Sequence, residues 1–313
     1  MKKLIALTLV LVAVLAMFAG CGKKKETLKV AISPDFAPME FVDPSKTGQD
    51  RFVGFDVSLA KYIADELGME LELVALDFEA CQIAVSSGRV DMSISGYSWT
   101  EKRAANYNLS DYYYAGENET EQVLITLASN GKNFKDAANM EGIKVGAQNA
   151  SLQEELCKSQ LPNAELVTFT DIGTGILQLK KGDIDVLAVA IGNANAIIAS
   201  NPELAMSGFQ FEVDEAAENN LILLPKGDDE MTEKVNKILA KALAAGYYET
   251  WYDEALNTAG VEVSYDADGN PIVDDEPAGD EEVGDETTNN ETAGNETTAD
   301  ATADTTNGDG ATE

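Results

Sequence analysis

The chain contains no histidine. The side chain that most often moves protons and binds transition metals near neutral pH is therefore missing throughout. No clear acid/base pair stands out in its place. The three cysteines, Cys21, Cys81 and Cys157, show no C-x-x-C spacing and no disulfide framework. Cys81 (EACQIAV) and Cys157 (QEELCKS) fall in helical patterns, where a buried thiol acts as a small hydrophobe. Asp266–Asn270 (DADGN) carries calcium-type ligands, but its glycine comes too early for an EF-hand. Between VEVSY and PIVD it reads as a hairpin turn. These residues exclude most catalytic and metal chemistry. The sequence predicts no catalytic residue, no metal and no cofactor, and a chain that binds rather than converts.

Charge narrows the partners further. The formal net charge is −33, and 16 acidic residues with no Lys or Arg lie from Asp266 to the C-terminus. Such a surface repels nucleic acid and anionic headgroups, so nucleic acid is not expected as a partner.

Both ends differ from the middle. Lys2 and Lys3 precede an apolar stretch of 17 residues, Leu4 to Gly20, followed by Cys21. A basic start, an apolar run and small residues before a boundary describe a secretory signal peptide, expected over 1–20. Ala19-Gly20-Cys21 resembles a bacterial lipobox, with Phe18 where Leu is usual. That resemblance implies lipidation at Cys21, a tether over 21–27, and attachment to the extracytoplasmic face of the cell membrane. The other end is rich in Asp, Glu, Thr, Asn and Gly. Residues 261–313 are expected to be a hairpin-like end and an acidic tail that cannot bury enough apolar surface to fold.

The middle alternates β-branched runs with amphipathic helices. Strands are predicted at Leu28–Ile32, Leu71–Leu76 and Val90–Ile94, with helices at Phe55–Leu67 and Phe78–Ser87 between them. The order β-α-β-α-β argues for a parallel sheet with right-handed crossovers. The plan then restarts: strands at Ile143–Ala147, Glu165–Phe169 and Ile184–Val189, helices at Leu152–Gln160, Ile172–Lys180 and Asn193–Ser200. Leu109–Leu127 links the two units, and Asn219–Pro225 reads as a return segment. Helices over Asp229–Ala245 and Tyr247–Ala255 follow. Two α/β units joined twice predict a hinge with a cleft between lobes. Lobe 1 is expected over 28–115 and 226–260, and the hinge segments with lobe 2 over 116–225. Ligands of open α/β sheets lie beyond the carboxyl ends of the strands, which here face each other across the cleft.

The ordered set of motifs resembles family 3 solute-binding proteins, the amino-acid-binding components of ABC importers. It comprises SPDFAPMEF (Ser33–Phe41), VGFDVSLAKYIADELG (Val53–Gly68), DFEACQIAVSSGRVDMSISG (Asp77–Gly96), TEKR (Thr100–Arg103) and LSDYYY (Leu109–Tyr114). In the second unit come VGAQNASLQEEL (Val145–Leu156) and LKKGDIDVLAV (Leu179–Val189). The resemblance spans about Leu28 to Leu256. It implies a two-lobed, type II periplasmic-binding-protein-like α/β fold, working as a monomer that delivers a polar amino acid or related small carboxylate to ABC permease subunits.

The resemblance also implies a site. Arg103 falls at the family's carboxylate-binding arginine, and a guanidinium suits a carboxylate's planar, two-pronged geometry. Ser95, Gly96 and Ser98 line the same subsite. Ser151 precedes a helix whose N–H groups can meet an anion. Phe36 and Phe78 match aromatic positions that sandwich the ligand, and Asp35 lies near for a cationic or amide side chain. Two positions depart from the family: Ala190 stands where an acid usually meets the ligand's α-amino group, and Leu152 where a Thr usually adds a hydrogen bond. The same fold could also carry a cyclohexadienyl-dehydratase-like enzyme or a sensory ligand-binding module.

Overall fold

The computed structural model describes residues 25–114, 121–130, 134–217, 219–260, 264–265 and 271–272. Residues 1–24, with the signal-like segment and Cys21, lie outside the described residues. So does the acidic stretch from residue 273 on, and so do residues 266–270, read as a hairpin turn. Short strands at Ser264–Tyr265 and Pro271–Ile272 flank that turn.

The first unit opens with β1 (Thr27–Ile32), then the two-residue β2 (Asp35–Phe36), β3 (Glu40–Val42) and β4 (Phe52–Val53). Helix α1 (Phe55–Leu67), β5 (Glu70–Ala75), α2 (Phe78–Ser86), β6 (Met92–Ser98), α3 (Glu101–Asn106) and β7 (Asn108–Leu109) complete it. The second unit runs β8 (Gln122–Leu127), β9 (Lys144–Gln148), α4 (Leu152–Gln160), β10 (Glu165–Phe169), α5 (Ile172–Lys181), β11 (Val186–Ala190), α6 (Ile191–Ser200) and β12 (Leu204–Gln210). The chain returns through β13 (Asn220–Leu224), α7 (Asp229–Ala244) and α8 (Tyr247–Ala259).

Helix α1 shows why the local reading works. Leu59, Ala60, Ile63 and Ala64 recur at helical spacing, and all are buried. Gly68 ends the helix in the left-handed conformation (φ 70°) that a residue without Cβ adopts at little cost.

Two five-stranded sheets organise the molecule, in the orders β5-β1-β6-β13-β7 and β10-β9-β11-β8-β12. In each, three strands are parallel as the sequence predicts. One further strand in each, β13 and β8, runs antiparallel to these, and β7 and β12 pair antiparallel with it in turn. The segment read as a return, Asn220–Leu224, is a buried strand of the first sheet. The second crossing thus ends by completing the sheet that the first crossing left. The two crossings run side by side: Tyr113 N–H donates to Asn220 O at 2.8 Å.

Apolar side chains fill both faces of each sheet. In the first unit, Phe55 anchors an aromatic cluster with Tyr113 (centroids 6.0 Å, stacked), Tyr114, Tyr248 and Trp251. The LSDYYY tyrosines are therefore largely packing residues, with Tyr112 half exposed and donating to Ala216 O. Cys81 and Cys157 are buried and unpaired, and burial pushes both thiols up to about 12. They pack as small hydrophobes, as the sequence indicates.

Candidate functional site

The carboxyl ends of the parallel strands converge on one cavity. From the first unit it is lined by Phe36, Phe78, Ser95, Gly96, Ser98 and Arg103. From the second come Gln148, Ser151, Leu152, Gln153, Ile172, Ala188 and Val189. The space between these atoms, counting the open mouth, is about 470 Å³. Seven of the eight sequence-predicted ligand residues meet here. Asp35 does not line this cavity.

Arg103 is the main cationic feature. Thr100 caps helix α3 by accepting from Arg103 N–H (3.2 Å), which fixes the arginine in the first turn. The side chain is 3% exposed. Its Nη1 donates to Ser98 O (2.6 Å) and Nη2 to Ala150 O (3.0 Å). The guanidinium carbon lies 5.6 Å from the Phe78 ring centre and 5.2 Å from that of Tyr97, within cation–π range. Among the described residues no carboxylate pairs with it. Burial lowers its pKa. A guanidinium this buried and lacking an acid is unusual, since buried charges are normally paired.

Ser95 and Gly96 turn their polar groups inward rather than into the cavity. Ser95 Oγ donates to Glu40 Oε1 and accepts from Ser33 N–H (3.0 Å). Gly96 N–H donates to Asp56 Oδ2 (2.8 Å), which also accepts from Tyr113 OH (3.1 Å). Gly96 has φ +53°, and an added Cβ would lie 2.6 Å from the Phe36 ring. The absence of a side chain there lets the Phe36 ring approach the Gly96 backbone closely. Ser98 presents its hydroxyl without a hydrogen-bond partner among the described residues.

On the facing lobe, Ser151 caps helix α4. Its Oγ accepts from Glu154 N–H (3.0 Å) and donates to Gln148 O (2.7 Å). The N–H groups of Leu152 and Gln153, next in the first turn, have no intrahelical acceptor and carry the positive end of the helix dipole. Ala150, just before the cap, holds φ 60°. Its carbonyl receives both Arg103 and Gln82 Nε2 (3.3 Å).

Asp35 joins the lobes at the cavity's edge. Its Oδ2 accepts from Ile172 N–H (2.7 Å) at the start of α5 and from Gln148 Nε2 (3.2 Å); its Oδ1 accepts from Ser33 Oγ (3.0 Å). Burial raises its carboxyl to about 6. Asn193 Nδ2 donates across to Ala37 O (3.0 Å). Asp35 and Asn193 line a second, more open groove beside the first. The lobes are thus closed on each other through Arg103, Gln82, Asp35 and Asn193.

Beneath Ser95 and Gly96, Glu40 and Asp56 are fully buried. Burial, then the charge of Asp56, raises Glu40 well above the usual carboxylate range; burial raises Asp56 to about 6. Folded-state pKa values raised in this way stabilise the fold at low pH, and that stability is lost as pH rises through them. Melting temperature should therefore rise as pH falls from about 8 to about 5. A carboxyl moved from 3.8 to about 6 accounts for on the order of 3 kcal/mol. Glu40→Gln, which keeps an acceptor for Ser95 without an ionisable group, should raise stability at pH 8 and flatten the profile. Scanning calorimetry at several pH values checks this; an unchanged slope in Glu40→Gln would remove Glu40 as its source.

The model of the bacterial extracellular solute-binding proteins, family 3, matches residues 28–258. The chain belongs to this family. It is 29% identical over 232 residues to the probable histidine-binding protein of Campylobacter jejuni, covering 72% of this chain and 82% of that protein. It is 31% identical over 220 residues to the arginine-binding extracellular protein ArtP of Bacillus subtilis, covering 70% and 80%. Among solved structures it resembles the amino acid ABC transporter substrate-binding protein AbpA of Streptococcus pneumoniae, crystallised with L-arginine. That likeness has a TM-score of 0.69 and 33% identity, covering 75% of this chain and 96% of that one. The architecture is the two-lobed type II binding-protein fold, and this family member works outside the cytoplasm as a solute-binding component.

Within the family's plan, the two departures have distinct surroundings. Leu152 lines the cavity, adding an apolar contact where a hydroxyl is usual. Ala190 is 2% exposed, stands at the N-cap position of α6 and pairs across the sheet with Gln122; it is not itself a lining residue but directly follows one, Val189. Gln148, Gln153, Ile172, Ala188 and Val189 escape the sequence reading of the site. A usable signal was present: each sits at or just beyond the carboxyl end of a predicted strand, or opens the helix after it.

Proposed function

We propose that the chain captures a polar amino acid or related small carboxylate between its lobes and delivers it to the permease subunits of an ABC importer. The observation that carries this is Arg103, buried at the cavity with two carbonyl partners and no acid. A ligand carboxylate supplies the missing negative charge, with the α4 N-terminus across the cleft favouring the same sign. Phe36 and Phe78 hold the ligand's body between their rings, with Ser98 and Ser151 as polar neighbours. Asp35 acts as a latch between lobes rather than as a contact to the ligand. Relatives named for histidine and arginine and a neighbour crystallised with L-arginine support a ligand of amino-acid size.

Lobe 1 comprises 28–115 and 226–260 together with β13, and lobe 2 lies between the crossings. Cys21 serves as the lipid attachment point after removal of residues 1–20, and the protein acts as a membrane-anchored monomer. It acts as a carrier rather than an enzyme, a reading that relatives named as binding proteins support. A thermal-shift screen of the protein against amino acids and small carboxylates tests the reading. A ligand at 100 times its dissociation constant should stabilise by about 2.7 kcal/mol. No shift with any amino acid or small organic acid at millimolar concentration would overturn it.

A further inference from the structure

The charge inventory of the cavity narrows the ligand further, resting on the reading of Arg103 as a carboxylate clamp. Among the described lining residues Arg103 is the one ionised group; the rest are aromatic, aliphatic, hydroxyl or amide. The nearby carboxyls lie outside the lining. Glu155, whose charge acts on Arg103, is exposed on α4 and does not line the cavity. Asp35 accepts from three neutral donors, Ser33, Gln148 and Ile172, at the cavity's edge, and it faces the neighbouring groove. Glu154 takes Ala150 N–H (2.7 Å) on one oxygen and Lys158 (2.6 Å) on the other. Glu40 and Asp56 lie fully buried behind Ser95 and Gly96, turned away from the cavity.

A ligand carboxylate on Arg103 balances the buried charge one to one. A ligand ammonium would add a second positive charge with only neutral amide and hydroxyl oxygens among the lining residues to meet it. A charge buried without a counterion costs several kcal/mol, and the α4 N-terminus adds repulsion of the same sign. We infer that the physiological ligand is a small monoanionic carboxylate bearing no ammonium group, such as a 2-oxo or N-acylated relative of an amino acid. Its uncharged body lies against Phe36, Phe78, Leu152 and Ile172.

Calorimetry on wild type and Arg103→Ala decides this, with leucine, methionine, glutamine, histidine and arginine as probes beside their 2-oxo and N-acetyl counterparts. The best counterpart should bind wild type at least tenfold tighter than the matching amino acid and lose most of its affinity in Arg103→Ala. A free amino acid that binds as tightly as its counterparts or tighter, with affinity still lost in Arg103→Ala, overturns the inference and leaves the clamp standing. Counterparts that bind both proteins equally overturn the clamp and the inference with it. No binding by any probe overturns both.

Discussion

Arg103→Ala should weaken ligand binding by roughly 30- to several-thousand-fold while the protein stays folded. Removing one partner of a buried, hydrogen-bonded charge pair costs about 2–5 kcal/mol, mostly because the other charge is left stranded. Here the stranded group is the ligand carboxylate in a closed cavity, where low polarity magnifies the loss. The fold should tolerate the change, because the guanidinium's own partners are two carbonyls, Ser98 O and Ala150 O. Releasing a buried arginine that lacks an acid even removes a desolvation cost. Arg103→Lys should recover part of the affinity only, since an ammonium cannot match the two-pronged geometry. Calorimetry with the tightest ligand from the screen reads the effect. An Arg103→Ala affinity within about threefold of wild type, roughly 0.65 kcal/mol, would return Arg103 to a packing role.

Gly54→Ala should destabilise the fold by about 2–6 kcal/mol, adding backbone strain to a steric clash. Gly54 holds φ +119°, and a Cβ there would stand 2.3 Å from Met39 O and 2.8 Å from Pro38 O. Those atoms cannot step aside. Pro38 O and Met39 O accept from Phe55 N–H (3.1 Å) and Asp56 N–H (2.8 Å), so they cap helix α1. The same segment fixes Phe36 and Glu40 beneath the cavity, so binding should suffer with stability. Gly68→Ala is the matched comparison: its φ is +70° but no atom lies within 4 Å of the added Cβ. It should cost about 1 kcal/mol, the strain alone. Urea unfolding of both variants separates the contributions. Equal losses would show that the clash at Gly54 is relieved by movement elsewhere.

Legibility in the sequence follows how local the cause is. Helices α1 and α4 match the predicted bounds residue for residue, because apolar spacing and a flanking Gly or Ser are neighbours in the chain. Strand β12 (Leu204–Gln210) was not legible, and β8 and β13 passed as linking and return segments. Their partners are remote, and a run such as QVLITL does not announce which sheet it joins or in which direction. The site divides the same way. Arg103, Phe36 and Phe78 could be placed through the motifs that carry them. The inward turn of Ser95 and Gly96 could not, because it answers to Glu40 and Asp56, 55 and 40 residues earlier. Nothing in PMEF or VGFDV signals that both acids are fully buried. Asp35 was legible as a residue near the ligand but not as a bond between lobes. That role exists only once α5 of the other lobe arrives.

The placement of β13 in the first sheet also sets an order of assembly. Strand β6 is complete by Ser98, yet one edge stays unpaired until Asn220–Leu224 returns to it. A chain emerging N-terminus first therefore carries an open strand edge across the whole interval in which lobe 2 is made. Lobe 2 closes earlier, since all five of its strands lie between Gln122 and Gln210. Pairing over so long a separation is slow, and an exposed edge invites pairing with other chains. The lobe bearing Arg103 therefore cannot lock until almost the entire domain has been made.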